Sequence, residues 1–600
     1  MTDTVQKIKE IDGKQLYQSF LAGAQKIFDH QKLLNKINVF PVADADTGTN
    51  LASTMRSIMD AIIPTENPKQ AAVALADAAL TGARGNSGII FAQFLYGFSN
   101  EIATNQPLDV QSFAESIKKA VAYAYDAIAN PVEGTILTVI KEWADYVYLL
   151  KDRIDDFIKL LVEAYNKALE ALSATTLKLE TLARAHVVDA GAKGFVYWLE
   201  GIKDFFIRGT DHAGIAQPAE SAAADPEVEM PHDVITFRFC TEALISGKQL
   251  DKHKVRNYIQ HCGDSLVVAG TPEKVRVHIH TDYPAEVFAQ LRKFGSITYQ
   301  KVDDMVMQNE IQNNRKSNIA ILTDSTSDLP KEILDRYQIH VVPLSVHFGD
   351  TYFLDRLTIQ PPQFYSMLET SEIPASSAQP ASKEFQNRFE YLATHYDSIL
   401  GIQISGAMSG TFSSSEKGSK GVTERTGKRI DVFDSKTVTG ALGLIVLRAA
   451  QSIESGATHD ELLPKINDWI SKSMVRVSVT TLKYIVRSGR VSPLKSFIAR
   501  TLDLKPVITI NKDGRSELLS KSFSEKGCMR KIISDLEGIT SQQKVWGYAI
   551  THANNKPTAG WYASEMKRIT GMDPAFIDNA SPALVANTGS GVVCISLLFE

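Results

Sequence analysis

Cysteine is scarce: four residues in 600, Cys240, Cys262, Cys528 and Cys594, without CxxC spacing. That excludes a disulfide framework and leaves single thiols to act as core residues or metal ligands. No sign of charge dominates either. With 64 basic against 69 acidic residues and a net charge of -5, the chain has no electrostatic footprint for nucleic acid or an anionic membrane. Long apolar runs are missing too: none reaches the roughly 18 residues of a membrane span. The opening "MTDTVQKIKEIDGKQ" lacks the apolar core and cleavage site of a signal peptide, so a cytoplasmic location without an integral membrane segment is expected. There is no short-period repeat. What is present in abundance is length, which exceeds one hydrophobic core and predicts several domains.

Over residues 1–208 the periodicity is helical. Leu16, Phe20, Ala24, Ile27 and Phe28 recur at helix spacing, as do "AAVALADAALTGA" and "DDFIKLLVEAYNKALEALSATTLKLETLARA". An all-α bundle is predicted. Residues 209–231 ("GTDHAGIAQPAESAAADPEVEMP") carry no useful apolar period and read as a linker. Residues 232–314 then alternate with period two in "VITFRF" and "SLVVAGTPEKVRVHIHT", which predicts a small α+β domain with a hairpin. From residue 318 to 600, short β-rich runs ("NIAILTD", "HVVPLSV", "SILGIQIS", "RIDVFDS", "PVITI", "VWGYAITHA") alternate with helical segments, the pattern of a parallel α/β sheet.

The helical region is interrupted where chemistry would sit. In "NVFPVADADTGTN", Asp44 and Asp46 flank one residue and leave an extended backbone on the same side. Two close carboxylates repel unless a cation lies between them, and hard oxygen ligands suit Mg²⁺ completed by phosphate oxygens. Thr47, Gly48, Thr49 and Asn50 follow as donors at a helix N-terminus. "TGARGNSG" adds Gly85, Asn86, Ser87 and Gly88, an anion-binding nest in pattern. "PVEGT" supplies Gly134 and Thr135, and "VVDAGAKG" supplies Asp189 and Gly191. Inside a helix Gly costs about 1 kcal/mol and Pro about 3, so four such breaks point to one shared site at the loop end of the bundle.

These four motifs in this order resemble the nucleotide-binding domain of the dihydroxyacetone kinase family (DhaL, or DAK2), and more closely that of bacterial fatty-acid kinases. The resemblance covers about residues 10–205. It implies a helical barrel holding ADP or ATP through Mg²⁺ on Asp44 and Asp46, with Asn38 as a third contact. The sequence departs from the family with Ala43 where proline is usual and Ala45 where glycine is usual. If position 45 needs positive φ, alanine there costs about 1 kcal/mol.

In the middle segment His278 and His280 share one face of a strand, opposite Val275, Val277 and Ile279. Spacing alone makes them solvated surface residues. However, "FCTEALISG", "GDSLVV" and "VRVHIHTDYPAEVF" resemble the middle domain of fatty-acid kinases, which implies a zinc site on Cys240, His278 and His280 with a fourth position unassigned.

In the last segment, "TDSTSDLP", "ISGAMSGTFSSS" and "DSKTVTG" lie at strand ends, where open α/β sheets bind ligands. Together with "IPASSAQP", "TLKYIVRSGRVSP" and "KPVITI" they resemble the DegV family over residues 318–600. That family is two-lobed and buries a fatty acid, its carboxylate held by hydroxyl and cationic side chains. By matched position these are Ser376 or Ser377, Ser405 or Ser409 with Gly410 and Thr411, and Arg490. Asn587 and Ser590 stand where a His-Thr-Gly-Pro-Gly pattern is expected; Asn587 can donate an amide hydrogen bond but carries no charge.

Joined, the resemblances imply a one-chain fatty-acid kinase moving the γ-phosphoryl of Mg·ATP to a bound fatty acid's carboxylate. They also imply a homodimer and a downstream acceptor of the acyl phosphate. Two other readings are a lipid-binding or sensing protein with a degenerate nucleotide domain, and a kinase of a small hydroxylated substrate.

Overall fold

The computed structural model describes residues 7–40, 46–61, 65–103, 107–208, 235–481, 483–488 and 505–600. It separates into two compact units, Met1–Asn309 and Glu310–Glu600.

The first unit begins as helices: α1 (Gly13–Asp29), α2 (Gln31–Lys36), α3 (Thr47–Ala61), α4 (Pro68–Gly82), α5 (Gly85–Glu101), α6 (Val110–Asp126), α7 (Ile136–Leu150), α8 (Phe157–Lys178), α9 (Glu180–Arg184) and α10 (Ala190–Arg208). Asp12 and Asp109 cap α1 and α6 with reciprocal capping boxes. The long apolar period at 155–185 breaks at Leu179, which separates α8 from α9. A two-stranded pairing of β1 (Glu10–Ile11) with β2 (Leu108–Asp109) is the small β element that an all-helical reading lacks. The core is aromatic: Phe91, Phe94, Trp143, Phe195 and Trp198 meet edge to face or stacked.

The same unit holds an antiparallel sheet of β3 (Phe239–Ser246), β4 (Asp264–Gly270), β5 (Lys274–Thr281) and β6 (Ser296–Asp304), in the order β4-β5-β3-β6. The hairpin expected at Thr271–Glu273 joins β4 and β5. The strand expected at "VITFRF" starts only at Phe239. The 209–231 linker lies outside the described residues.

The sheet is not a satellite of the helices. Edge strand β4 meets the chain after α6, where Val268 N donates to Ala127 O (2.8 Å) and Ala129 N to Leu266 O (3.2 Å). Gly270 N donates to the buried Gln93 Oε1 (2.9 Å), and Val267 and Ala269 belong to the helical core. Covering this edge removes an unpaired strand and seats one sheet face on the bundle.

The second unit has two main sheets. The first is parallel, of β7 (Ile319–Asp324), β8 (His340–Val342), β12 (Ser398–Gln403) and β13 (Arg429–Asp434), ordered β13-β12-β7-β8. Beside it are the short strands β9 (Ser345–Phe348), β10 (Thr351–Leu354) and β11 (Ala375–Ala378). The second sheet orders β16-β15-β14-β19-β17-β18, from β14 (Ser473–Ser478), β15 (Lys505–Ile510), β16 (Ser516–Ser522), β17 (Val545–His552), β18 (Phe576–Asn579) and β19 (Val593–Phe599). Here the expected parallel sheet is corrected, because only β17 and β18 pair in parallel. The sequence cue was the "NKDG" turn joining β15 to β16 without a helical crossover, which forces antiparallel pairing. The helix Gly440–Glu454, apolar on nearly every side, packs against strands of both sheets and unites their core.

Candidate functional site

The first site is built where α3 and α5 begin. Asp46 accepts the Asn50 amide through its carbonyl (2.8 Å) and starts α3. Asp46, Thr47 and Asn50 line a pocket with Asn38 on one side and Gly85, Asn86 and Ser87 on another. Gly85 takes a left-handed backbone at φ +58°, and a Cβ there would lie 2.4 Å from Asn50 Nδ2, so the turn into α5 tolerates only glycine. The Asn86 Oδ1 oxygen is buried with no hydrogen-bond partner among the described residues. Such an orphaned acceptor, beside Asp46, suits a cation with oxygen ligands.

Not every expected residue faces this pocket. Gly48 packs against Gln31, and Thr49 is held by Asn35 and Gln31 of α2, its amide donating to Asn35 Oδ1 (2.9 Å). Gly88 abuts Thr54. Gly134, at φ +90°, donates its amide to Thr138 Oγ1 (2.8 Å), and Thr135 caps its own turn on the Val132 carbonyl. Asp189 accepts from Ala192 N (2.7 Å) at the start of α10, and burial pushes its carboxyl up to about 6. Gly191 bears directly on Ser87, since a Cβ there would come within 2.4 Å of the Ser87 hydroxyl. The fourth motif thus supports the second rather than lining the pocket. Asp44, Ala43 and Ala45 lie outside the described residues.

The remaining wall comes from the sheet. His278 and His280 line the same pocket. Neither is a solvated strand residue: both are at most 4% exposed, because the bundle covers their face. Cys240 pairs across the ladder with His280, and Cys240 Sγ lies 3.8 Å from His278 Nδ1 while the two imidazole Nε2 atoms are 3.2 Å apart. One ligand atom from each of the three falls within 4.8 Å of the others, a donor set that fits zinc. Burial, reinforced by Glu242, pushes the Cys240 thiol well up, and burial lowers His280 against the pull of Asp264. The imidazole is therefore neutral and available, whereas the thiol needs a cation to lose its proton.

Sequence reasoning missed the charges around this cluster. Glu242 and Arg276, both 1% exposed, form an ion pair at 3.0 Å. Burial alone would raise Glu242, but Lys301, His278 and Arg276 outweigh it and hold the carboxylate ionised well below its usual range. Lys301 pairs with Asp303 (2.6 Å), and Asp264 lies 3.6 Å from His280 Nδ1. The signal was available: the period two that places His278 and His280 together also places Arg276 beside them, and Cys240 beside Glu242.

The second site lies in the other unit, between its two sheets. Apolar Leu344, Ile404, Val477 and Ile508 line a cavity whose polar residues include Ser377, Ser409 and Asn587. Asn587 Nδ2 donates to Ser377 Oγ (3.1 Å), and Ser409 Oγ shares a hydrogen bond with Thr411 Oγ1 (2.8 Å). Of the paired alternatives, Ser376 is exposed on the far side of β11, and Ser405 is spent on Gly514 O (2.7 Å) outside the lining. Gly410 packs under Gln379. Thr326, from "TDSTSDLP", also lines the cavity, held by Asp324. Arg490 lies outside the described residues; Arg487 donates to the Ala375 carbonyl (3.0 Å).

Three family models match the chain in succession. They are the DAK2 domain over 41–204, the FakA-like middle domain of fatty acid kinase over 236–312, and the uncharacterised DegV family over 318–600. The chain joins a DAK2 domain, a FakA-like middle domain and a DegV domain.

Two similar curated proteins are each described only as an uncharacterized protein. One from Staphylococcus epidermidis is 33% identical over 349 residues, covering 54% of this chain and 62% of that protein. One from Staphylococcus saprophyticus is 32% identical over 346 residues, covering 54% and 61%. The chain thus spans about six-tenths of the length of these relatives. Among solved structures, a Thermus thermophilus DegV family protein described for its fatty acid binding is 25% identical, with a TM-score of 0.44 over 47% of this chain and 99% of its own. DegV from Bacillus subtilis, described as a fatty acid binding protein, is 26% identical, with a TM-score of 0.43 over 47% and 100%. No helix among the described residues is long and apolar enough to cross a membrane.

Proposed function

We propose that this chain is an ATP-dependent fatty-acid kinase, with nucleotide and fatty-acid modules in one polypeptide. The observation that carries the reading is the pocket at the start of α3 and α5, where Asp46 and the Asn86 oxygen, which has no partner among the described residues, meet the Gly85–Ser87 turn. Its occurrence in one chain with a DAK2 match, a FakA-like middle domain and a DegV domain supports it.

In this reading Asp44 and Asp46, with Asn38 and Asn86, hold Mg²⁺, and the start of α5 with Thr47 and Asn50 receives the phosphates. The ion, when bound, neutralises the phosphate oxygens. Cys240, His278 and His280 hold zinc. The fatty acid is ionised at neutral pH, so its carboxylate is already a nucleophile and no general base is required. A carboxylate oxygen bonds to the γ-phosphorus as the bridging bond to ADP breaks, leaving an acyl phosphate. Positioning and charge neutralisation suffice for such transfer. Ser377, Ser409 and Asn587 orient the carboxylate, and the apolar wall takes the chain at about 0.8 kcal/mol per buried methylene. A homodimer, a cytoplasmic location and a separate enzyme that consumes the acyl phosphate belong to the same reading.

The test is ATP turnover by the purified protein with added fatty acid, beside native mass spectrometry for co-purified lipid. Acid-dependent turnover that disappears in the Asp44→Ala, Asp46→Ala double variant is expected. Bound lipid without turnover would replace the kinase with a lipid sensor.

A further inference from the structure

One contact crosses from the sheet to the phosphate-side turn. Glu242 Oε1 accepts the backbone N–H of Gly85 at 2.8 Å, across 157 residues of sequence. Its other oxygen accepts Arg276 Nη2 at 3.0 Å, and His278 Nδ1 stands 3.8 Å from Oε1. Gly85 is the first residue of α5, whose opening amides have no partner within the helix, and a carboxylate there is favoured by the helix dipole as well as by the hydrogen bond. The next two residues, Asn86 and Ser87, line the pocket. One buried side chain therefore touches the glycine turn and lies beside a cluster histidine.

We propose that Glu242 is a positioning residue: by holding the Gly85 amide it fixes the Gly85–Ser87 turn in its nucleotide-receiving form and couples that turn to the Cys240, His278 and His280 cluster. The inference rests on the proposed nucleotide site for its affinity readout but not for its structural one. It follows that the middle domain serves the nucleotide pocket directly, since Arg276 and the β3–β5 register set where Glu242 stands.

Two substitutions in the full chain separate reach from charge. Glu242→Gln keeps an oxygen within reach of Gly85 and loses the charge; Glu242→Asp keeps the charge beside Arg276 and withdraws the oxygen. Calorimetry with MgADP is expected to show Glu242→Gln within threefold of wild type and Glu242→Asp about tenfold weaker. In turnover, KM for ATP should rise in Glu242→Asp while kcat changes less than threefold. Zinc content by elemental analysis should stay at the wild-type level in both. Hydrogen exchange without nucleotide should be faster at the Gly85 amide in Glu242→Asp than in Glu242→Gln. The reverse order of the two variants, or no difference between them, overturns the proposal. If wild type takes up no MgADP, the kinase reading fails, and the exchange comparison still decides the role of Glu242.

Discussion

The pocket under α5 and the cavity between the sheets of the second unit handle buried polarity in opposite ways. The first concentrates charge: a carboxylate at Asp46, a buried ion pair at Glu242 and Arg276, a half-buried Lys301 opposite Glu242 on the next strand, and a buried Cys/His cluster. The second is apolar, and Ser377, Ser409 and Asn587 in its wall are neutral. A site for a polyanion needs charges that cancel a large ligand charge. A site for a long acyl chain gains affinity from area and needs polar groups mainly for orientation. Breaking the charged site should therefore cost far more than breaking the neutral one.

The largest expected effect is at Asp46. Asp46→Ala should lower kcat at least a thousandfold and abolish magnesium-dependent ADP binding by calorimetry, whereas Thr49→Ala, which faces α2, should leave both within threefold. Next is the buried pair. Arg276→Ala strands Glu242 without its guanidinium and should destabilise the first unit by about 3–5 kcal/mol in a denaturant titration. Equal stability of Arg276→Ala and wild type would mean that water reaches Glu242 freely.

A smaller effect is expected at Asp189, whose carboxyl is pushed up to about 6 by burial. Its unfolded value is lower, so the neutral form suits the fold. Stability linked to this group is present at acid pH and is lost as pH rises from about 4 to about 6, by at most about 3 kcal/mol. Asp189→Asn should remove that slope in melts across the window. An unchanged slope would assign the pH dependence to other groups.

How much of this was legible in the sequence differs between the two sites for a physical reason. Helices and glycine breaks announce themselves locally, so the first pocket's near residues, Asp46, Thr47, Asn50 and Gly85–Ser87, could be named from their motifs. His278 and His280 could be named only through the resemblance, and not as a wall of this pocket, because only tertiary packing turns their face toward α5, and Glu242 meets Gly85 from 157 residues away. Local pattern also gave no way to tell that Thr49 turns to α2. In the second unit, alternating strands and helices suggested one parallel sheet, and the hairpin cue at "NKDG" went unread. The choice between Ser376 and Ser377 is one of strand face, and an ambiguity of one residue in register flips every side chain.

That choice makes the smallest and most discriminating prediction. Ser377 faces the cavity beside Asn587, and Ser376 faces away. A single neutral hydrogen bond contributes about 0.5–1.5 kcal/mol, so Ser377→Ala should weaken fatty-acid binding roughly three- to tenfold, and Ser376→Ala should not change it. Since the amide of Asn587 does not titrate, its own contribution to binding should not vary between pH 6 and 8. Asn587→His places an imidazole of ordinary pKa about 6.5 at the clamp, and its protonated form attracts the carboxylate, so affinity in that variant should strengthen as pH falls through that value. Fluorescent fatty-acid displacement at several pH values measures all three. A loss at Ser376 rather than Ser377 would show that the other face of β11 meets the headgroup.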